Sequence, residues 1–130
     1  MPILPTDETV NVRYLVDDVA ASIDFYTSLL DFEVGLDAAP AFADATRGKL
    51  RILLSGPTSS AGRPMTDGAT PGPGGWNRIH LLVDDLDAEI ARLSEAGARF
   101  RNEMVVGPGG KQILLLDPSD NIIELFEPAA

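Results

Sequence analysis

One short pattern is written twice in this chain. Leu15-Val16-Asp17-Asp18 returns as Leu82-Val83-Asp84-Asp85, 67 residues later, and the text downstream follows suit, with Ile23 falling on Ile90 and Tyr26 on Leu93. In both places an apolar, alternating run stops at an acidic pair and an amphipathic pattern begins. A duplication of about half the chain requires the fold to be built twice from one supersecondary unit.

The residues of each copy read as the same succession of elements. Residues 10–16 alternate as a half-buried strand, and Asp18 stands at the N-cap of a helix. Val19, Ile23, Tyr26 and Leu30 form the helix's apolar stripe, thickened by Phe25 and Leu29, until Asp31 ends it. Phe32-Glu33-Val34 begins a strand, 36–40 reads as irregular, and strands at 42–46 and 50–55 flank a turn at Arg47-Gly48-Lys49. The first copy is therefore β-α-β-β-β. In the second, a strand at 78–83 leads to Asp85 as N-cap and a helix over 86–96 carrying Leu86, Ile90 and Leu93. Gly97 stops this helix. A strand at 99–106, a turn at Gly107-Pro108-Gly109-Gly110, a strand at 112–116, a turn at Asp117-Pro118-Ser119-Asp120-Asn121 and a strand at 122–126 complete it.

The fold class expected is α+β: a single domain, 1–130, made of βαβββ modules at 10–55 and 77–128. The Gly-, Pro- and Ser-rich stretch 56–76 joins them; it is long for a loop within a domain and suits both a linker and a lid over a site. One sheet with one helix leaves a sheet face open, so two copies, in one chain or across a homodimer, must pack to cover it.

Composition narrows the partners. Of 130 residues 45% are hydrophobic, enough for a core. Twenty acidic against ten basic residues, a net charge of −10, argue against non-specific nucleic-acid binding, which needs a basic face to displace counterions. The same charge permits attraction of cationic ligands and keeps a surface solvated. Cysteine is absent, which excludes disulfides and thiolate metal sites and is compatible with a reducing cytosol. The N-terminal residues show no basic region followed by an apolar core, and no run approaches membrane-spanning length. The expectation is a soluble, cytoplasmic protein without membrane contact.

The paired modules, the V-x-D at each strand end, Ser22-Ile23-Asp24-Phe25-Tyr26 in the first helix, and Asp117-Pro118 through Asn121, Ile123-Glu124-Leu125-Phe126 at the close resemble the vicinal oxygen chelate superfamily. That group includes glyoxalase I, bleomycin-resistance proteins, fosfomycin-resistance enzymes and extradiol dioxygenases. The resemblance covers roughly 10–128. It implies curved mixed sheets, each a half-barrel around a cavity, and usually a dimer, while leaving the reaction open among lyases, epimerases, transferases, dioxygenases and binders.

The resemblance also implies metal-ligand positions on the first and last strand of each module. These fall on Asn11 and Arg78 for the first strands and Glu124 for the last strand of the second module. Its counterpart in the first module is Ile52 or a neighbour. Of these only Glu124 is a good oxygen ligand; a hard divalent ion wants several carboxylates, imidazoles or waters, and an arginine cannot lose its proton to become one. The expectation is no metal and no cofactor.

His80, the sole histidine, shares strand parity with Arg78. It reads either as a proton-transferring group near Glu124 or as a partly buried, satisfied histidine. Arg78 reads as the ion-pair partner of Glu124 or, with Arg13, as a holder of a ligand's carboxylate or phosphate. The Gly-Pro-Gly-Gly stretches at 72–75 and 107–110 lack P-loop spacing and read as turns, even with Lys111 adjacent. Trp76, the only tryptophan, reads as an anchor for the linker or a ligand wall. Asn11, Arg13, Ile52, Arg78, His80 and Glu124 are thus the candidate cavity set, with His80 and Glu124 the candidate catalytic groups.

Three functions are compatible with these residues. The first is a metal-independent small-molecule binder of the bleomycin-resistance type. The second is a lyase, isomerase or dioxygenase with atypical ligands or with Glu124 as general base. The third is a non-catalytic assembly or regulatory partner with a vestigial cavity.

Overall fold

The structure, a computed structural model, describes residues 9–130. It divides into two compact units, one ending at Pro73 and the other spanning Gly74–Ala130. The boundary falls inside the stretch expected to join the modules.

The first unit contains β1 (Val10–Leu15), α1 (Val19–Leu29), β2 (Glu33–Ala38), β3 (Phe42–Arg47) and β4 (Leu50–Ser55). Its sheet has the order β1-β4-β3-β2, with β1 parallel to β4 and the other pairs antiparallel. Alternation decides which residues meet α1. Tyr14, Val16, Ala43, Ala45, Ile52 and Leu54 are buried with Val19, Phe25 and Tyr26 of the helix. Ala43 and Ala45 leave room for the aromatic rings: Tyr26 packs edge-on against Phe25 and Phe32, with centroids 5.0 and 5.5 Å apart. Each such large apolar side chain, fully buried, stabilises the fold by roughly 1.5–3 kcal/mol before entropy is counted. Asp18 caps α1 as expected, its Oδ1 accepting from the Ala21 amide at 3.0 Å.

The second unit repeats the plan with β5 (Ile79–Leu82), α2 (Leu86–Glu95), β6 (Arg99–Phe100), β7 (Val105–Gly107), β8 (Gly110–Leu116) and β9 (Ile122–Pro128). The order is β5-β9-β8-β6, with β7 also on β8, and β5 lies parallel to β9 as β1 does to β4. Ile79, Leu81, Ile113, Leu115, Ile123 and Leu125 are buried with Leu86 and Leu93 of α2. Asp85 caps α2 through the Ala88 amide, Glu127 accepts from the Leu86 amide at 2.8 Å, and Gly97 at φ 83 ends it. Among the described residues the fold is α+β, with two α-helices, a short 3-10 helix at Ser60–Gly62 and two mixed sheets that do not close into a barrel.

Two local expectations are corrected. Residues 36–40 are not irregular throughout, because β2 continues to Ala38 across a register shift between Val34 and Asp37. There the Asp44 carboxylate accepts from the Leu36 amide at 2.9 Å, and a Cβ on Gly35 would collide with Asp44 Oδ1. The strand expected at 99–106 is interrupted after Phe100. Asn102 Oδ1 takes the Leu114 amide at 2.9 Å, so a side chain replaces a rung of the ladder before β7 resumes.

Candidate functional site

The closing turn positions the site. Asp117 is fully buried, and its Oδ1 accepts from the amides of Ser119 and Asn121 at 2.8 and 2.9 Å. Asp120 adopts φ 66, a left-handed conformation suited to such a turn. Asn121 Oδ1 in turn accepts from the Gly74 amide at 2.8 Å, holding the start of the second unit against this turn. These bonds set the β8–β9 hairpin so that Glu124 lies opposite Leu114 on one side and His80 on the other.

Glu124 points to the face of this sheet away from α2, as do Arg78 and His80. Arg78 Nε donates to Glu124 Oε1 at 3.0 Å, and Arg78 Nη1 donates to the Trp76 carbonyl at 3.3 Å. His80 Nε2 lies 3.4 Å from Glu124 Oε2, its ring 4.9 Å from that of Phe126. Glu124 is only 8% exposed, so its charge is balanced within the protein rather than by solvent. Arg78, His80 and Glu124 therefore form one cluster; strand parity pairs the first two, and the register of β5 against β9 brings Glu124 to them.

Asn11 and Arg13 lie on the corresponding face of the first unit. Asn11 is exposed, and Arg13 Nη1 donates to Ser55 Oγ at 2.9 Å. Ile52 is placed differently. It pairs with Val12 and Ala45 and is wholly buried with the core under α1. The duplication puts Arg13 on His80, and since His80 pairs with Glu124 while Arg13 pairs with Leu53, the counterpart of Glu124 is Leu53. A shift of one residue moves a side chain to the other face of a sheet.

This donor set does not fit a hard divalent cation. At the positions the resemblance implies stand an amide, a leucine, an arginine and one glutamate, and that glutamate is engaged by the guanidinium. Among the described residues no three of His, Cys, Asp and Glu gather at one point.

Several residues near the site escaped the sequence reading. Asp44 and Arg51 form an ion pair on the open face of the first sheet, with Arg51 Nε 3.1 Å from Asp44 Oδ2. Burial pushes the Asp44 carboxyl up, but the Arg51 guanidinium and the amides of Leu36 and Gly35 outweigh it and hold it below the usual value. In the second unit a cleft of about 370 Å³ is lined by Gly75, Trp76, Arg99, Arg101, Leu116, Asp120 and Ile122, next to the Trp76 carbonyl that Arg78 holds. Arg101 lies 5.1 Å above the Trp76 ring, while Arg99 bonds to Asp120 and to the Asp117 carbonyl, each at 2.8 Å. Alternation along 99–101 was the available signal, since it sets Arg99 and Arg101 on one face. In the first unit, residues 56–73 fold back to line a second cavity of about 320 Å³ against Leu15 and Ser55.

The duplicated βαβββ plan, parallel pairing of first and last strands and open sheet faces define a class, and the comparisons agree with it. The model of the Glyoxalase/Bleomycin resistance protein/Dioxygenase superfamily matches residues 9–125. The chain belongs to that superfamily. A structure of a superfamily member from Sphaerobacter thermophilus is similar at 25% identity and a TM-score of 0.74, covering 96% of this chain and 99% of the other. An antibiotic binding protein from a Streptomyces species is similar at 22% identity and a TM-score of 0.73, covering 98% and 100%. A lactoylglutathione lyase from Agrobacterium tumefaciens is similar at 21% identity and a TM-score of 0.71, covering 95% of each chain. Among curated proteins no significant match is found. Among the described residues no helix is long and apolar enough to cross a membrane.

Proposed function

We infer that this is a cytoplasmic, metal-independent small-molecule-binding protein, taking its ligand on the open face of the second unit's sheet and acting as a homodimer. The observation that carries the reading is the closed Arg78–Glu124 pair. The one carboxylate at an inherited ligand position is neutralised internally, so the face offers a binding surface rather than a metal cradle. The adjacent cleft sets Trp76, Leu116 and Ile122 beside the charged groups of Arg99, Arg101 and Asp120, a combination that can both bury and orient a small ligand. Similarity to an antibiotic binding protein is in keeping with this, although at that identity it speaks to fold. The test is a thermal-shift screen of small molecules joined to elemental analysis. A ligand that binds only the folded state, at about 100 times its Kd, adds about 2.7 kcal/mol of stability. One tightly held transition metal per chain would overturn the reading.

A second reading rests on the His80–Glu124 contact at 3.4 Å, with the His80 side chain 46% exposed. An accessible imidazole beside a desolvated carboxylate has the composition of a proton-transfer pair for a lyase or isomerase. Its test is turnover of a hemithioacetal or an epimerisable acid that is lost in His80→Gln.

A further inference from the structure

We propose that the cleft beside Arg78 selects organic anions, a carboxylate carried on an apolar ring, and that Arg101 is the residue that grips the carboxylate. This deepens the binding function inferred above and rests on it. The argument begins with charge. The chain carries twice as many acidic as basic residues, yet Arg78, Arg99 and Arg101 share one open sheet face. Two of them are already committed. Arg78 is spent on Glu124, and Arg99 is bonded to Asp120 and the Asp117 carbonyl. Among the described residues the Arg101 side chain has no hydrogen-bond or ion-pair partner. Its one recorded contact is the Trp76 ring.

That contact places it. The cation–π attraction draws the guanidinium over the indole but takes up none of its five N–H donors, which remain able to hold a carboxylate by two parallel bonds. Trp76 is itself 64% exposed, so the stack does not serve to bury the tryptophan. Leu116 and Ile122 line the same cleft and supply its aliphatic surface. Arg99, neutralised by Asp120, adds no net charge but stiffens the rim. The cleft therefore offers one available cation beside an indole and two aliphatic side chains, which matches an anion with an apolar body better than a neutral or cationic molecule.

The sole tryptophan makes the test direct, because Trp76 fluorescence reports on this cleft alone. Phenylacetate and its neutral isostere phenylacetamide are titrated into the parent chain, Arg101→Met and Arg101→Lys, with thermal midpoints recorded to establish that the variants fold. The expected result is a saturable change in Trp76 emission with phenylacetate in the millimolar range or tighter. Phenylacetamide should bind at least tenfold more weakly, Arg101→Met should lose phenylacetate by at least tenfold, and Arg101→Lys, a charge without the planar fork, should fall between. Equal binding of acid and amide, unchanged binding in Arg101→Met, or no saturable response to the acid would overturn the anion assignment. The broader binding function is separable. Should neutral compounds raise the thermal midpoint of parent and Arg101→Met alike while phenylacetate is inert, only the ligand class fails. Should nothing raise it, both fail.

Discussion

Glu124 holds its charge in a nearly buried position by means of Arg78 on one oxygen and His80 near the other. Arg78→Met leaves that carboxylate with the imidazole alone, and should destabilise the fold by about 2–3 kcal/mol, since a stranded buried charge costs more than a lost surface pair. Glu124→Leu in the same chain should restore much of the loss, because Leu53 already fills the equivalent position in the first unit. Urea denaturation of both single variants and the double variant measures this coupling. Asp44 makes a second residue-scale prediction, one of pH. Its carboxyl is held below the usual aspartate value, about 3.9, by Arg51 and two amides after burial has pushed the other way. A depressed folded value stabilises the native state fully above the unfolded value, and this contribution is lost as pH falls through the folded one. Asp44→Asn should therefore be less stable than the parent at neutral pH and should lose less stability on acidification below about pH 4. Thermal midpoints across that range check the sign.

At the scale of elements, side chains complete what the backbone leaves open. Asp18 and Asp85 each satisfy an orphan amide in the first turn of a helix. Replacement of either by alanine should cost about 1 kcal/mol. Asp85→Ala should be the milder of the two, because Glu127 still accepts from the Leu86 amide at the same helix start. Asn102 does similar work in a sheet, carrying the Leu114 amide across the gap between β6 and β7. Asn102→Ala leaves that amide without its acceptor and should cost about 1–2 kcal/mol. Hydrogen exchange would show it as faster exchange at Leu114, before any change at the β8–β9 pairs.

For the whole molecule, the recurring arithmetic is one helix per sheet. Each unit buries the sheet face under its own helix, and the other face carries the polar and charged groups of the candidate site. Apolar side chains such as Val10, Leu82 and Val106 remain more than half exposed. A second copy of the chain is the occupant proposed for surface of this kind, since self-association of two identical patches closes on itself. Light scattering at micromolar concentration should give twice the chain mass, and a monomer there would remove the dimer from the proposal.

Much of this could be read from residues in a row, because the signals were local. The acidic pairs marked both helix starts, Gly97 marked an end, and period-two alternation put Arg78 and His80 on one face, while Glu124 was singled out by the family resemblance. What had to wait for the fold was pairing between distant strands. Whether Ile52 or Leu53 answers to Glu124 depends on the register of β1 against β4, a choice that neither strand contains alone, and one step reverses the face. The gap after Phe100 was hidden for the same reason, since Asn102 breaks the strand only because Leu114 stands opposite to be bonded. Trp76 and Arg101 are remote in sequence, and only the folded sheet brings the guanidinium over the indole. Local patterning is written in nearest neighbours, whereas a binding face is assembled from residues whose proximity exists only once the chain has closed its long loops.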